Sequence, residues 1–303
     1  MTLAAPGRRL RSAVVAAAVA ALTLAGCGSS SSGHASSTAK KATAAKPARI
    51  YPAPAGLVSA GAPQPNGTMW LLVHGATAAN VQALDLSTGK VTGVVPVSSS
   101  ASAVTELSTG VLVVGTATAK AGSLELRNGT TGSISRTIPL SGPVHALAAG
   151  ANGTTVYALV GTSKAESVEI VDSASGKVTG TIAVSTHSVA VAASPSGSDV
   201  YVLGANGTVT DYPVTGGSTA ASFPVGSAGV ALAVSPDGTT LYVLKGRATD
   251  PNVAVVDLAT ESVGRVLPAP AHAVAVSVAA DGSTLYDVVG TPSYGNVQAF
   301  SLG

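Results

Sequence analysis

The sequence predicts an all-β fold: a six-bladed β-propeller of four-stranded antiparallel blades, closed by an N-terminal strand that completes the last blade. Three observations predict it. A hairpin phrase recurs at a nearly fixed interval, each interval holds four short strand-like runs, and the last interval lacks one run that turns up at the opposite end of the domain.

The phrase is clearest from Ala233 to Thr260, AVSPDGTTLYVLKGRATDPNVAVVDLAT. Asp237-Gly238 lies between two alternating apolar runs, a strong short-range hairpin signal. Aligning Gly67, Gly110, Gly153, Gly197, Gly238 and Gly282 gives intervals of 41 to 44 residues. A period of roughly 40–45 residues with four strands is the propeller period. The residues before those glycines are Asn66, Thr109, Asn152, Ser196, Asp237 and Asp281. They are turn formers, and the pairs are expected to supply the positive φ of a tight turn.

The four runs of each unit have distinct chemistry. The first is rich in small residues, as in AVTEL (103–107), VAVAAS (189–194) and VALAVS (230–235), which suits a strand crowded around a central axis. The second carries Tyr157, Tyr201, Tyr242 and Tyr286 four residues after the hairpin glycine, with Trp70 and Leu112 expected to fill that column in the first two units. Packing between blades is the simplest use of such rings, with ligand stacking the alternative. The third run is exemplified by VAVVDL (253–258). The fourth holds Pro96, Pro139, Pro224 and Pro268 near its end, and proline is tolerated on an edge strand. The sixth unit ends at Gly303 without a fourth run, while Arg49-Ile-Tyr-Pro-Ala-Pro-Ala55 reads like Arg265-Val-Leu-Pro-Ala-Pro-Ala271. The segment beginning at Arg49 is therefore expected to be the outer strand of the last blade, which leaves no open seam.

Composition agrees with many small stacked units. The chain is 46% hydrophobic but only 3% aromatic, so alanine and valine must build the core. Its net charge is +2, and much of the basic excess lies in the first 49 residues. The rest carries no surplus to neutralise a phosphate backbone, which argues against nucleic acid as a partner. The single cysteine excludes an internal disulfide framework.

That cysteine has a context of its own. Arg8, Arg9 and Arg11 form a basic region, Ala13 to Leu24 an apolar one too short to span a bilayer comfortably, and Leu24-Ala25-Gly26-Cys27 a small-residue box. Residues 1–26 thus resemble a bacterial lipoprotein signal peptide. The resemblance implies cleavage before Cys27, a diacylglyceryl chain on its thiol, and attachment to the membrane outside the cytoplasm. The competing reading, a core cysteine on an N-terminal helix, leaves the basic region and the box unexplained. Residues 27–48 are Ser, Ala, Gly, Thr and Lys with almost no bulky apolar side chain. They read as a disordered tether with a reach of about 25 Å. The propeller domain is then 49–303.

Ser235-Pro236-Asp237-Gly238, Leu241-Tyr242-Val243, Asp257 and the Gly89-Lys90 and Gly176-Lys177 turns follow a distinct grammar. It resembles the YVTN-type repeats of YncE-like propellers, shared by lactonase-like propellers, over residues 49–303. The family's closing asparagine is replaced here, since Leu203-Gly204 and Leu244-Lys245 follow the Tyr-Val pairs. What the resemblance implies is the propeller; a fold of this kind serves many functions.

Catalytic signatures are scarce. The sequence holds no GxSxG elbow, HExxH or P-loop, and Trp70 as its sole tryptophan argues against a quinone-cofactor pocket. Asp85, Asp172 and Asp257 precede turns whose backbone they would bond, and the N-x-T triplets at Asn66, Asn128, Asn152 and Asn206 read as turns rather than glycan sites. One constellation stands out. His145, His187 and His272 each come just before an inner strand, in what reads as a common register, and would open on the mouth of the central channel; Glu106 could join them. Such a set could hold a divalent metal or a ligand. The alternative is that each histidine tips its own loop and bonds a neighbour. No other cofactor is implied. Two functions follow: a non-catalytic binding module at the cell envelope, monomeric, with a protein, glycan or small molecule as partner; or an exported lactonase-like hydrolase acting at the channel mouth.

Overall fold

The computed structural model describes residues 46–76, 78–216, 221–226, 228–246 and 250–302. Residues 1–26, Cys27 and nearly all of the 27–48 tether lie outside the described residues.

The described chain is all strand. β1 (Arg49–Ala53) precedes the first complete blade, β2 (Leu57–Ala60), β3 (Thr68–His74), β4 (Ala79–Asp85) and β5 (Lys90–Val97). Blade two is β6 (Ala101–Glu106), β7 (Val111–Ala117), β8 (Gly122–Asn128) and β9 (Ile134–Leu140). Blade three is β10 (Val144–Ala149), β11 (Thr155–Thr162), β12 (Ala165–Asp172) and β13 (Lys177–Val184). Blade four is β14 (Ser188–Ala193), β15 (Asp199–Gly204), β16 (Thr208–Pro213) and the three-residue β17 (Ser222–Pro224). Blade five is β18 (Gly229–Val234), β19 (Thr240–Lys245), β20 (Asn252–Asp257) and β21 (Ser262–Pro268). Blade six runs β22 (Ala273–Val278), β23 (Thr284–Gly290), β24 (Gly295–Ser301) and then β1 as its outer strand.

Ring closure takes the form the sequence predicts. β1 pairs antiparallel with β24 in the register Arg49↔Ala299 to Ala53↔Gly295. The Ala48 N–H extends the ladder to the Ala299 carbonyl at 2.8 Å. Every sheet is a consecutive four-strand meander except this one, which joins the two ends of the domain.

The core is divided among the blade junctions, one cluster to each. Trp70, Val95, Val104 and Leu112 meet between blades one and two; Tyr157 and Val191 between three and four; Tyr201 and Leu232 between four and five; Tyr242 and Val276 between five and six; Tyr286 and Leu71 between six and one. The tyrosine column is thus a packing column. In blade two its member is Val113, paired with Thr105 as Tyr242 is with Ala233, and not Leu112, which faces the preceding blade. The reason is the turn. Gly110 is followed directly by the ladder residue Val111, whereas Gly238 is followed by Thr239 before Thr240 re-enters the ladder. One residue fewer moves every later side chain to the other face.

The six hairpin glycines all have positive φ, between 72° and 81°. The residue before each does not, so the glycine of each pair alone supplies the positive φ expected of the turn. In blade five the Gly238 N–H donates to the Ser235 carbonyl at 2.9 Å, so Pro236 and Asp237 form an ordinary turn and glycine alone takes the left-handed step. Asp237 contributes its carboxylate instead, accepting the Thr239 N–H at 3.0 Å. Asp85, Asp172 and Asp257 likewise bond the backbone of their turns, as expected. Hydrogen bonds from Ser87 and Thr88 hold the Asp85 carboxyl down to about 2.

Proline falls at one register of the outer strands. Pro52, Pro96, Pro139, Pro224 and Pro268 face Asn296, Asn80, Ser123, Thr208 and Asn252 across the ladder. A residue without an N–H serves on the free edge of a sheet, where it also discourages further strand addition.

Asp287 breaks the apolar pattern of the second strands. Asp287 of β23 pairs with Val276, and the residues in its place in the other blades are Leu71, Val114, Ala158, Val202 and Val243. Asp287 is 0% exposed, and neither carboxylate oxygen has a hydrogen-bond partner among the described residues. Burial raises its pKa to about 7. The unfolded carboxyl ionises near 4, so between these values the unfolded chain binds fewer protons and stability falls as pH rises. Melting temperatures should therefore be lower at pH 8 than at pH 5. Asp287→Val should raise the neutral-pH melting temperature and flatten this slope, on an energy scale of order 4 kcal/mol. Calorimetry at the two pH values checks both outcomes. Closure predicts a second effect: a chain lacking residues 1–53 should melt at least about 5 °C below one lacking 1–45, because β24 loses its partner.

Candidate functional site

The inner strands of all six blades line an axial channel. Each begins with a bulge that places one extra residue at the channel mouth: Val58, Ser102, His145, Val189, Val230 and Val274. These six residues line an upper cavity of about 190 Å³. A lower cavity, also about 190 Å³, lies beyond it. Ala60, Leu147, Val191, Leu232 and Val276 line both, so an apolar waist divides the channel.

The histidines do not share a register. His145 is the bulge residue of β10 and lines the upper cavity. His187 and His272 lie two positions earlier in their repeats, outside the strands, in the left-handed conformation at φ 65° and 63°. Gly56 and Ala228 take that conformation just before the inner strands of blades one and five. Histidine is among the residues that tolerate it best, which explains its use there. The side chain of His145 is also occupied: its Nε2 lies 2.9 Å from the Gly161 carbonyl oxygen and must donate to it. Among the described residues no three His, Cys, Asp or Glu side chains are grouped to hold a metal ion.

Glu106 lies at the other end of the channel. It is the last residue of β6, and six residues of strand separate the two ends by about 17 Å. The expected convergence of His145, His187, His272 and Glu106 is therefore corrected on two counts, the register of the histidines and the end of the strand on which Glu106 lies.

What Glu106 does instead is bond the only tryptophan. The Trp70 indole Nε1–H donates to its Oε2 at 2.9 Å, across the junction of blades one and two. Beside this pair opens a groove of about 400 Å³, walled by Asn66, Thr68, Thr92, Gly93, Asn128 and Thr130. Trp70 is only 4% exposed, because Gly129 covers its ring edge, so recognition here must come from polar groups at the wall rather than from stacking. A β-carbon at Gly129 would come within 3.0 Å of the indole. Among the described residues no lysine, arginine or histidine lines the groove. Burial pushes the Glu106 carboxyl up, and the indole bond works in the opposite direction.

Blade one departs from the repeat beside the groove. The stretch from Gly61 to Gln64 is one residue longer than its counterpart Ala233 to Ser235, and Trp70 replaces tyrosine. Sequence reasoning singled out Trp70 and Glu106 separately. The lone tryptophan and the lone carboxylate on an inner strand were the available signals, but their pairing needs the blade junction.

No protein-family model matches the chain, and a search of curated proteins finds no match.

Because Trp70 is the only indole, its emission reports on Glu106 directly. Its fluorescence should titrate with a midpoint above the usual glutamate value of about 4.3. Glu106→Gln should abolish that transition while leaving the spectrum of a buried tryptophan. An unchanged titration in the variant would show that another group is responsible.

Proposed function

We propose that this chain is an exported, lipid-anchored propeller that acts as a binding module at the cell envelope, without catalysis of its own. The observation that carries the reading is the Trp70–Glu106 groove. One carboxylate oxygen is fixed by the indole, and the rest of the wall presents amides and hydroxyls on rigid strand ends and turns. That is a surface organised for recognition. The partner is an envelope protein, a glycan or a small molecule, and the propeller works as a monomer.

The anchor rests on the sequence. The basic region, the short apolar run and Leu24-Ala25-Gly26-Cys27 support lipidation of Cys27, and the 27–48 segment supports a flexible tether holding the domain near the membrane. The YncE-like grammar of Ser235 to Val243 supports a place among extracytoplasmic YVTN-type repeat propellers. The second reading, a lactonase-like hydrolase at the channel mouth, retains one supporting observation: His145 lines the upper cavity, and donation from Nε2 leaves Nδ1 of the neutral ring unprotonated.

Two experiments test the proposal. Labelled fatty acid should attach to the wild-type protein and not to Cys27→Ala, and globomycin should block processing; label on the variant would retire the anchor. Crosslinking and pull-down from envelope fractions should recover a partner that Gly93→Ile loses. That variant should fold, because Gly93 has no positive φ and an added β-carbon meets only the Ala83 methyl at 3.7 Å. Turnover in a lactone panel, with or without divalent metal, and its loss in His145→Ala would favour the hydrolase instead.

A further inference from the structure

The polar groups of the groove restrict what it can bind. This inference rests on the groove being the binding site, as proposed above. Glu106 offers one acceptor, since its Oε2 is taken by Trp70 and its Oε1 has no partner among the described residues. The two asparagines offer donors. The Asn66 side-chain oxygen is taken by the Thr68 N–H at 2.9 Å, and that of Asn128 by the Thr130 and Thr131 N–H groups at 2.9 and 2.8 Å. Their Nδ2 amides make no hydrogen bond among the described residues and line the groove with the Thr68 and Thr130 residues.

Each class of charged ligand meets opposition here. An anion would face the Glu106 carboxylate with no cation to offset it. An ammonium group has donors alone, and the two amides would remain unpaired against it. A hydroxyl both donates and accepts, so an array of hydroxyls can satisfy a carboxylate oxygen, two amides and two threonines together.

The groove also has a neighbour. Across the Pro65-Asn66-Gly67 turn lies a second cavity of about 400 Å³, walled by Pro63, Gln64, Gly67, Leu86 and Tyr286. Asn66 lines the first cavity and Gly67 the second, so one turn is the wall between them. A linear ligand laid across that turn would engage both.

We infer that this face of the propeller binds an uncharged, linear oligosaccharide, its hydroxyls held by Glu106, Asn66 and Asn128 and its chain crossing the blade-one turn. The test is a glycan array probed with the detergent-solubilised protein. The array carries neutral hexose and N-acetylhexosamine chains from mono- to hexasaccharide, with uronic-acid and deacetylated glucosamine chains as charged comparators. Hits are titrated against Trp70 emission. Neutral chains should be retained, with trisaccharides or longer at least about tenfold tighter than the monosaccharide. Gly93→Ile and Glu106→Gln should each weaken binding at least about tenfold with the melting temperature preserved. Retention of charged chains that Gly93→Ile releases would overturn the neutral class while leaving the groove as the binding site. Neutral chains bound equally well by Gly93→Ile would overturn the placement. Retention of no chain would overturn carbohydrate as the ligand, and the pull-down with Gly93→Ile would still score the groove as a protein-binding site.

Discussion

The pairing of β1 with β24 is the constraint on which the rest depends. A row of six sheets, each burying both faces against neighbours, has two uncovered faces unless it closes. Five residues from the start of the domain supply the sixth sheet's outer strand, and that sheet then carries both chain ends. Closure turns an open stack into a ring and gives each blade junction its own apolar cluster. The cluster between six and one exists only because the ring is shut. The design suits a chain poor in aromatics, since no junction cluster holds more than two aromatic side chains and the rest is valine, leucine, isoleucine, alanine and methionine.

The repeat explains most residues and, by contrast, marks the ones it does not explain. Strand bulges recur at the start of every inner strand, and proline recurs on five of six outer strands. Trp70, the lengthened Gly61–Gln64 stretch of blade one, Glu106 and Asp287 break the pattern. The first three meet at one junction, where Trp70 and Glu106 line the groove. Asp287 lies apart from them, a fully buried carboxyl where five other blades place apolar side chains, and it lies in the blade that carries the closure. A polar group held without a partner in such a place lowers stability at neutral pH, so its setting couples ring integrity to proton concentration.

Much of the architecture was legible because it is local. Strand alternation, the turn formers before each glycine, and the likeness of Arg49–Ala55 to Arg265–Ala271 are properties of short stretches, and they yielded blade number, strand order and closure. Where the sequence reading failed, it failed by one or two residues. Counting from Gly110 put Leu112 in the packing column that Val113 occupies. Placing His145 level with His187 and His272 missed that it sits within a bulge while they precede the strand. Side chains alternate with a period of two, so the single shift between Leu112 and Val113 exchanges one face for the other.

By itself, then, the sequence determined the kind of fold, the number of blades and the way the ring is shut, because hydrogen-bonding period and turn chemistry act over a few neighbours. It also carried the signals at residues 1–48, which are read as chemistry and not as packing. The tertiary structure alone decided which side chains meet. Glu106 is 36 positions from Trp70 in the chain, yet the two share a hydrogen bond across a blade junction. Contacts of that span depend on turn lengths, bulges and register accumulated over a whole blade, and no local pattern records their sum.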